Sequence, residues 1–115
     1  MHTKGSCHCG KTTITTVKSS IPGIIKCYCR DCQQHLGNFA PWVVCKKSDT
    51  QIEGEVGEYE SSEGIKRLFC TTCGASIAKR PDDGEVVVIA AGIFDQPLDF
   101  EVIKEVFTES KQPWM

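Results

Sequence analysis

Cys27, Cys29 and Cys32 form a C-x-C-x-x-C cluster, flanked by Cys7-x-Cys9 before it and Cys70-x-x-Cys73 after it; of eight cysteines only Cys45 stands alone. In a small secreted chain such a count reads as disulfides, whereas in a reducing compartment tightly spaced thiols read as metal ligands or redox centres. The outer pairs are each followed by glycine, Gly10 and Gly74. Glycine adopts positive φ at no steric cost, so the chain can turn back and aim two thiolates and nearby N–H groups at one ion. Together the pairs supply the four-thiolate donor set of a structural zinc site and tie the start of the chain to its middle. A rubredoxin-like iron centre typically uses two C-x-x-C turns, and the C-x-C half counts against it.

The middle cluster differs in number. Three protein ligands with the fourth position left to water or substrate is the pattern of catalytic zinc. His35 follows Cys32 by three residues and shares its face on a helix. His35, His8 and Cys45 are the residues that could close the site, and closure would make the protein a binding or scaffold module with two structural zincs. Left open, three thiolates on zinc carry one net negative charge. That centre is a weak Lewis acid, poorly suited to making hydroxide and well suited to a soft ligand such as a thiolate. Sulfur chemistry is therefore expected over peptide or ester hydrolysis. Lys26, Arg30 and the N–H groups at the start of the following helix are the expected offsets to that charge. His35, Phe39 and Trp42 are the candidate substrate contacts beside it.

The elements that must carry these residues read as strands. Thr12–Val17 is rich in β-branched residues, and Ile24–Cys29 delivers the middle cluster. Arg30–Leu36, ended by Gly37-Asn38, is expected as a helix of one or two turns. Further strands are expected over Phe39–Cys45, with Pro41 at an edge or bulge, in pieces between Thr50 and Tyr59 punctuated by Gly54 and Gly57, and over Ile65–Phe69. Ala75–Arg80 and Glu85–Ala91 form a hairpin about Pro81-Asp82-Asp83-Gly84. The unbroken Val86–Ile89 run implies burial on both faces, and Phe100–Thr108 is a last strand. The expected fold is mainly β with one short helix, as a single domain over residues 1–115.

Bulk properties narrow the partners. A net charge of −2 lacks the basic surplus of a nucleic-acid binder, which disfavours a zinc-ribbon role on DNA or RNA. The longest apolar run, Val86–Phe94, is far short of the roughly 20 residues that span a bilayer. Met1–Gly5 runs straight into cysteines without the apolar stretch of a signal peptide. A cytoplasmic protein without membrane contact is expected, and the apolar Val86–Phe94 segment on an edge-rich β fold allows a homodimer.

Gly5-Ser6-Cys7-His8-Cys9-Gly10, Cys27-Tyr28-Cys29-Arg30-Asp31-Cys32, Phe69-Cys70-Thr71-Thr72-Cys73-Gly74, Ala90-Ala91-Gly92-Ile93-Phe94-Asp95 and the closing Pro113-Trp114 resemble the glutathione-dependent formaldehyde-activating enzyme family, which includes centromere protein V. The resemblance covers nearly the whole chain and implies a β-tent fold with two zincs. It implies a structural zinc on Cys7, Cys9, Cys70 and Cys73, and a catalytic one on Cys27, Cys29 and Cys32. The implied reaction adds glutathione to formaldehyde to give S-hydroxymethylglutathione, a carbon–sulfur lyase activity.

Overall fold

The computed structural model describes residues 1–96 and 98–115. Its strands are β1 (His2–Ser6), β2 (Thr12–Val17), β3 (Ile24–Cys27), β4 (Ala40–Lys46), β5 (Gln51–Gly54), β6 (Val56–Ser62), β7 (Ile65–Cys70), β8 (Ser76–Pro81), β9 (Val86–Ala90) and β10 (Val102–Val106). The helix α1 spans Arg30–Leu36. The fold is mainly β with one short helix, as expected. A three-stranded sheet has the order β1-β2-β5, and a seven-stranded sheet the order β10-β3-β4-β9-β8-β7-β6.

The larger sheet has two unlike faces. Ile24, Val43, Ile89, Ala78 and Leu68 are successive register partners across β3, β4, β9, β8 and β7, and all are buried. They pack with Ile14 of the smaller sheet in one core. Each fully buried Ile, Leu or Val there contributes roughly 1.5–3 kcal/mol through area removed from water. The next row over, pointing to the opposite face by strand alternation, runs Tyr59, Arg67, Lys79, Val88 and Val44. On that face Trp42 and Ala90 pack with Cys27 and Cys32 in a second, smaller cluster.

Local chemistry accounts for the places where the structure departs from the expected elements. β3 stops at Cys27 because Cys29 leaves the sheet to cap the helix, its sulfur accepting the Cys32 N–H at 3.3 Å. Gly37 closes the helix in the left-handed region at φ 82°. Pro41 lies at no bulge; it pairs with Lys26 of β3 just beyond the point where β9 joins at Trp42. Val86 is 37% exposed at the end of β9, so burial on both faces begins only after it. β1 carries too few apolar side chains to be visible in the sequence, and its pairing with β2 defines it.

The last strand closes the larger sheet by lying parallel to β3. Tyr28, just after β3, donates its hydroxyl to Glu105 at 2.8 Å. From the helix, the buried Gln33 amide donates to the carbonyls of Tyr28 (2.7 Å) and Ser110 (2.9 Å). Its oxygen accepts from Arg30 and from Gln112, both at 2.9 Å. A single side chain thus fastens the C-terminal segment to the helix.

Candidate metal centres

Cys7 and Cys9 lie in the turn between β1 and β2, while Cys70 ends β7 and Cys73 follows in the turn to β8. Their four sulfurs all lie within 4.8 Å of one another, with Cys9 Sγ 3.6 Å from Cys7 Sγ and 3.7 Å from Cys70 Sγ. The two glycines act as expected: Gly10 at φ 83° and Gly74 at φ 77° let each turn close, with Gly10 N–H donating to Cys7 O and Gly74 N–H to Cys70 O. Backbone N–H groups point at the sulfurs, Thr12 to Cys7 at 3.3 Å and Thr72 and Cys73 to Cys70 at 3.4 and 3.5 Å. Hydrogen bonding from Thr12 and the Cys73 N–H brings the Cys70 thiol down to about 6, which favours its thiolate form. Soft thiolate donors converging from two turns fit a tetrahedral zinc ion.

The second group is local. Cys27 ends β3, Cys29 caps α1 and Cys32 sits in its first turn, and their sulfurs too lie within 4.8 Å of one another. Cys32 is fully buried and accepts from Trp42 Nε1 at 3.4 Å and from Arg67 Nη2 at 3.6 Å. Burial opposes ionisation of Cys32, but the Trp42 and Arg67 donors and the Lys79 charge outweigh it and lower its pKa. Cys27, lacking such donors, is pushed up to about 12, chiefly by burial. Three soft donors, one of them with its thiolate form favoured by neighbouring donors, again fit zinc.

Among the described residues no fourth His, Cys, Asp or Glu joins this group. Cys45 is buried on the opposite face of β4, beside Val43 in the main core. His8 lies in the turn of the other cluster, between Cys7 and Cys9. His35 points across to Tyr59, ring centroids 5.6 Å apart. It lines two adjoining clefts: one of about 330 Å³ shared with Tyr59, Arg67 and Ser76, and one of about 260 Å³ shared with Tyr59, Asp31 and Ser61. None of these clefts, nor a larger one of about 610 Å³ about Lys46 and Glu85, has a ligand cysteine in its wall; the first adjoins the cluster through Arg67, which donates to Cys32. Burial, then the Arg67 charge, holds His35 below its ordinary value, so its imidazole is neutral at pH 7.

The other expected contacts divide. Trp42 is buried and touches the cluster through its indole N–H. Phe39 packs on Tyr28 at 5.6 Å under the Lys26 ammonium. Lys26 is thereby occupied, and Arg30 is turned to Gln33. The cations at the cluster are instead Arg67 and Lys79, directly paired on β7 and β8. The signal was present in Lys66-Arg67 and Lys79-Arg80: neighbours on a strand point to opposite faces, so one cation of each pair must face inward.

The profile of the glutathione-dependent formaldehyde-activating enzyme family matches residues 2–110. No curated protein matches the sequence significantly. A crystal structure of a Rhodobacter sphaeroides protein, a structural-genomics target, is similar in fold, with a TM-score of 0.70 at 23% identity over 90% of this chain and 99% of that one. With the family profile spanning nearly all of the sequence and both cysteine groups assembled, the chain belongs to the glutathione-dependent formaldehyde-activating enzyme family.

Proposed function

We propose that this chain is a zinc-dependent enzyme of carbon–sulfur lyase type, acting on the adduct of a small thiol such as glutathione with an aldehyde such as formaldehyde. The observation that carries the reading is a three-sulfur cluster, without a fourth protein ligand among the described residues, on a sheet face bordered by a cleft. Cys7, Cys9, Cys70 and Cys73 are read as the structural site and Cys27, Cys29 and Cys32 as the reactive one. Zinc on the latter three would supply a Lewis-acidic position for a soft fourth ligand. Both sheets share one core, which supports one zinc-binding domain over residues 1–115. Eight free thiols suit a reducing compartment such as the cytoplasm.

The remaining chemistry falls to side chains. In the synthetic direction the sulfur lone pair forms the carbon–sulfur bond, the carbonyl π electrons move to oxygen, and the thiol proton ends on that oxygen. His35, neutral and on the wall of both clefts, is placed to take the proton from sulfur and return it to oxygen. Trp42 and Arg67 both donate to Cys32, which favours its thiolate form and fixes it in place.

The test is zinc per chain before and after brief chelation, followed by NMR of glutathione with formaldehyde. Two zincs falling to one, and enzyme-dependent S-hydroxymethylglutathione formation that Cys29→Ser abolishes, are expected. Two chelator-resistant zincs without turnover would replace this reading with a scaffold.

A further inference from the structure

Arg67 is the oddest residue in the molecule. It is 4% exposed, yet its Nε and Nη1 have no hydrogen-bond partner, and among the described residues no carboxylate pairs with it. A buried guanidinium without an anion is costly. Its Nη2 lies 3.6 Å from Cys32 Sγ, so among the described residues the cysteine cluster, as thiolates, is the group positioned to balance it. Lys79, its register partner on β8, stands with its ammonium 5.4 Å from the centre of the Trp42 ring, and Trp42 donates to the same sulfur.

Charge counting gives this arrangement a purpose. Three thiolates on a divalent ion leave one negative charge, which Arg67 alone would neutralise. A fourth thiolate raises it to two, which Arg67 and Lys79 together match. We propose that Arg67 and Lys79 are positioning residues whose paired charge lets the three-cysteine site accept an anionic thiolate as its fourth ligand. The inference rests on the open-zinc reading above and deepens it: the species captured is the thiolate, whatever the rest of the thiol carries. As the thiol binds, its sulfur keeps the electron pair and its proton passes to His35, the base of the reading above. Arg67 acts through charge and not as a carboxylate clamp, because its free N–H groups are sealed from the surface.

The experiment reads thiol binding directly. Protein loaded with cobalt(II) is titrated with β-mercaptoethanol, which has no carboxylate, and with glutathione, following thiolate-to-cobalt charge transfer. Wild type is expected to take two cobalts per chain and bind both thiols. Arg67→Met should keep both cobalts and weaken both thiols by about 10–100-fold, the usual range for loss of an outer-shell partner, and Arg67→Lys should restore most of the loss. Unchanged binding of both thiols in Arg67→Met overturns the proposal, and so does a loss confined to glutathione, which would make Arg67 a carboxylate clamp. If Arg67→Met does not fold, Lys79→Met carries the test: it sits at a half-buried position, and thiol affinity equal to wild type overturns the proposal. A wild type that takes only one cobalt, at the four-cysteine site, would instead remove the open-zinc reading beneath it.

Discussion

The two cysteine groups use the same ligand atom at similar spacing, yet they differ in what they connect. Cys9 and Cys70 are 61 positions apart in sequence, and their cluster joins a turn of the small sheet to a turn of the large one. Cys27, Cys29 and Cys32 span a single strand end and helix start. The first group therefore closes a long loop and ties the two sheets together. The second packs on one face of the larger sheet with Trp42 and Ala90, which suits the reactive role proposed for it. Reach along the chain, and not ligand identity, separates the proposed structural site from the proposed reactive one.

The sharpest way to break that comparison is to remove one sulfur from each. Cys70→Ser should lose cooperative thermal unfolding, because zinc binding in small folded modules is worth about 10–16 kcal/mol and a whole domain is stable by only about 5–15 kcal/mol. Cys29→Ser should keep near-native circular dichroism and one zinc while losing turnover. Equal unfolding of both variants would erase the distinction.

Next in size is the glycine that seats the small sheet. Gly54 has φ 102°, and a Cβ there would collide with the backbone carbonyl of Lys11, beside the first cluster. Gly54→Ala should cost about 2–4 kcal/mol of stability from strain and overpacking, read by denaturant unfolding, with zinc at the second site still exchangeable. Trp42→Phe reverses the pattern. Losing the indole N–H to Cys32 should weaken the second zinc about tenfold in chelator competition and leave the first alone. Cys45→Ala should cost about 1 kcal/mol without altering zinc content at all; loss of one zinc would mean that Cys45 closes the second site.

The smallest effect is on pH. His35 is held below its ordinary 6.5 by burial and Arg67. A base with a lowered folded pKa contributes its stability above the unfolded value and loses it as pH falls through the folded one. Turnover should accordingly persist below pH 6.5 and decline only further into acid, and His35→Asn should abolish that limb. An acid limb unchanged in His35→Asn would assign the proton to another group.

Much of the site was legible because cysteine spacing is local. The glycine-ended turns named the pairing of the outer clusters, and Gly37 named the end of the helix. What the sequence hid was set by register. Arg67 meets Cys32 only because β7 lies three places from β4 in the larger sheet and presents that side of its pleat to the helix. Lys26 and Arg30, adjacent to the cluster in sequence, were the natural candidates for its counter-charge and were taken up by Phe39 and Gln33 instead. Strand pairing across distant segments is the quantity that local pattern does not carry.

The fastening of Gln33 has a consequence for how the protein is made. Its partners Ser110 and Gln112 lie 77 and 79 positions further along. A ribosome adding about 5–20 residues per second therefore leaves the Cys27, Cys29 and Cys32 cluster without its outer brace for ~4–16 s after its cysteines emerge. During that interval Gln33 has its local partners Tyr28 and Arg30 but not those of the C-terminal segment. Metal capture at this site is then best timed to the end of synthesis, and a nascent chain stalled short of residue 110 would expose an oxidation-prone trio.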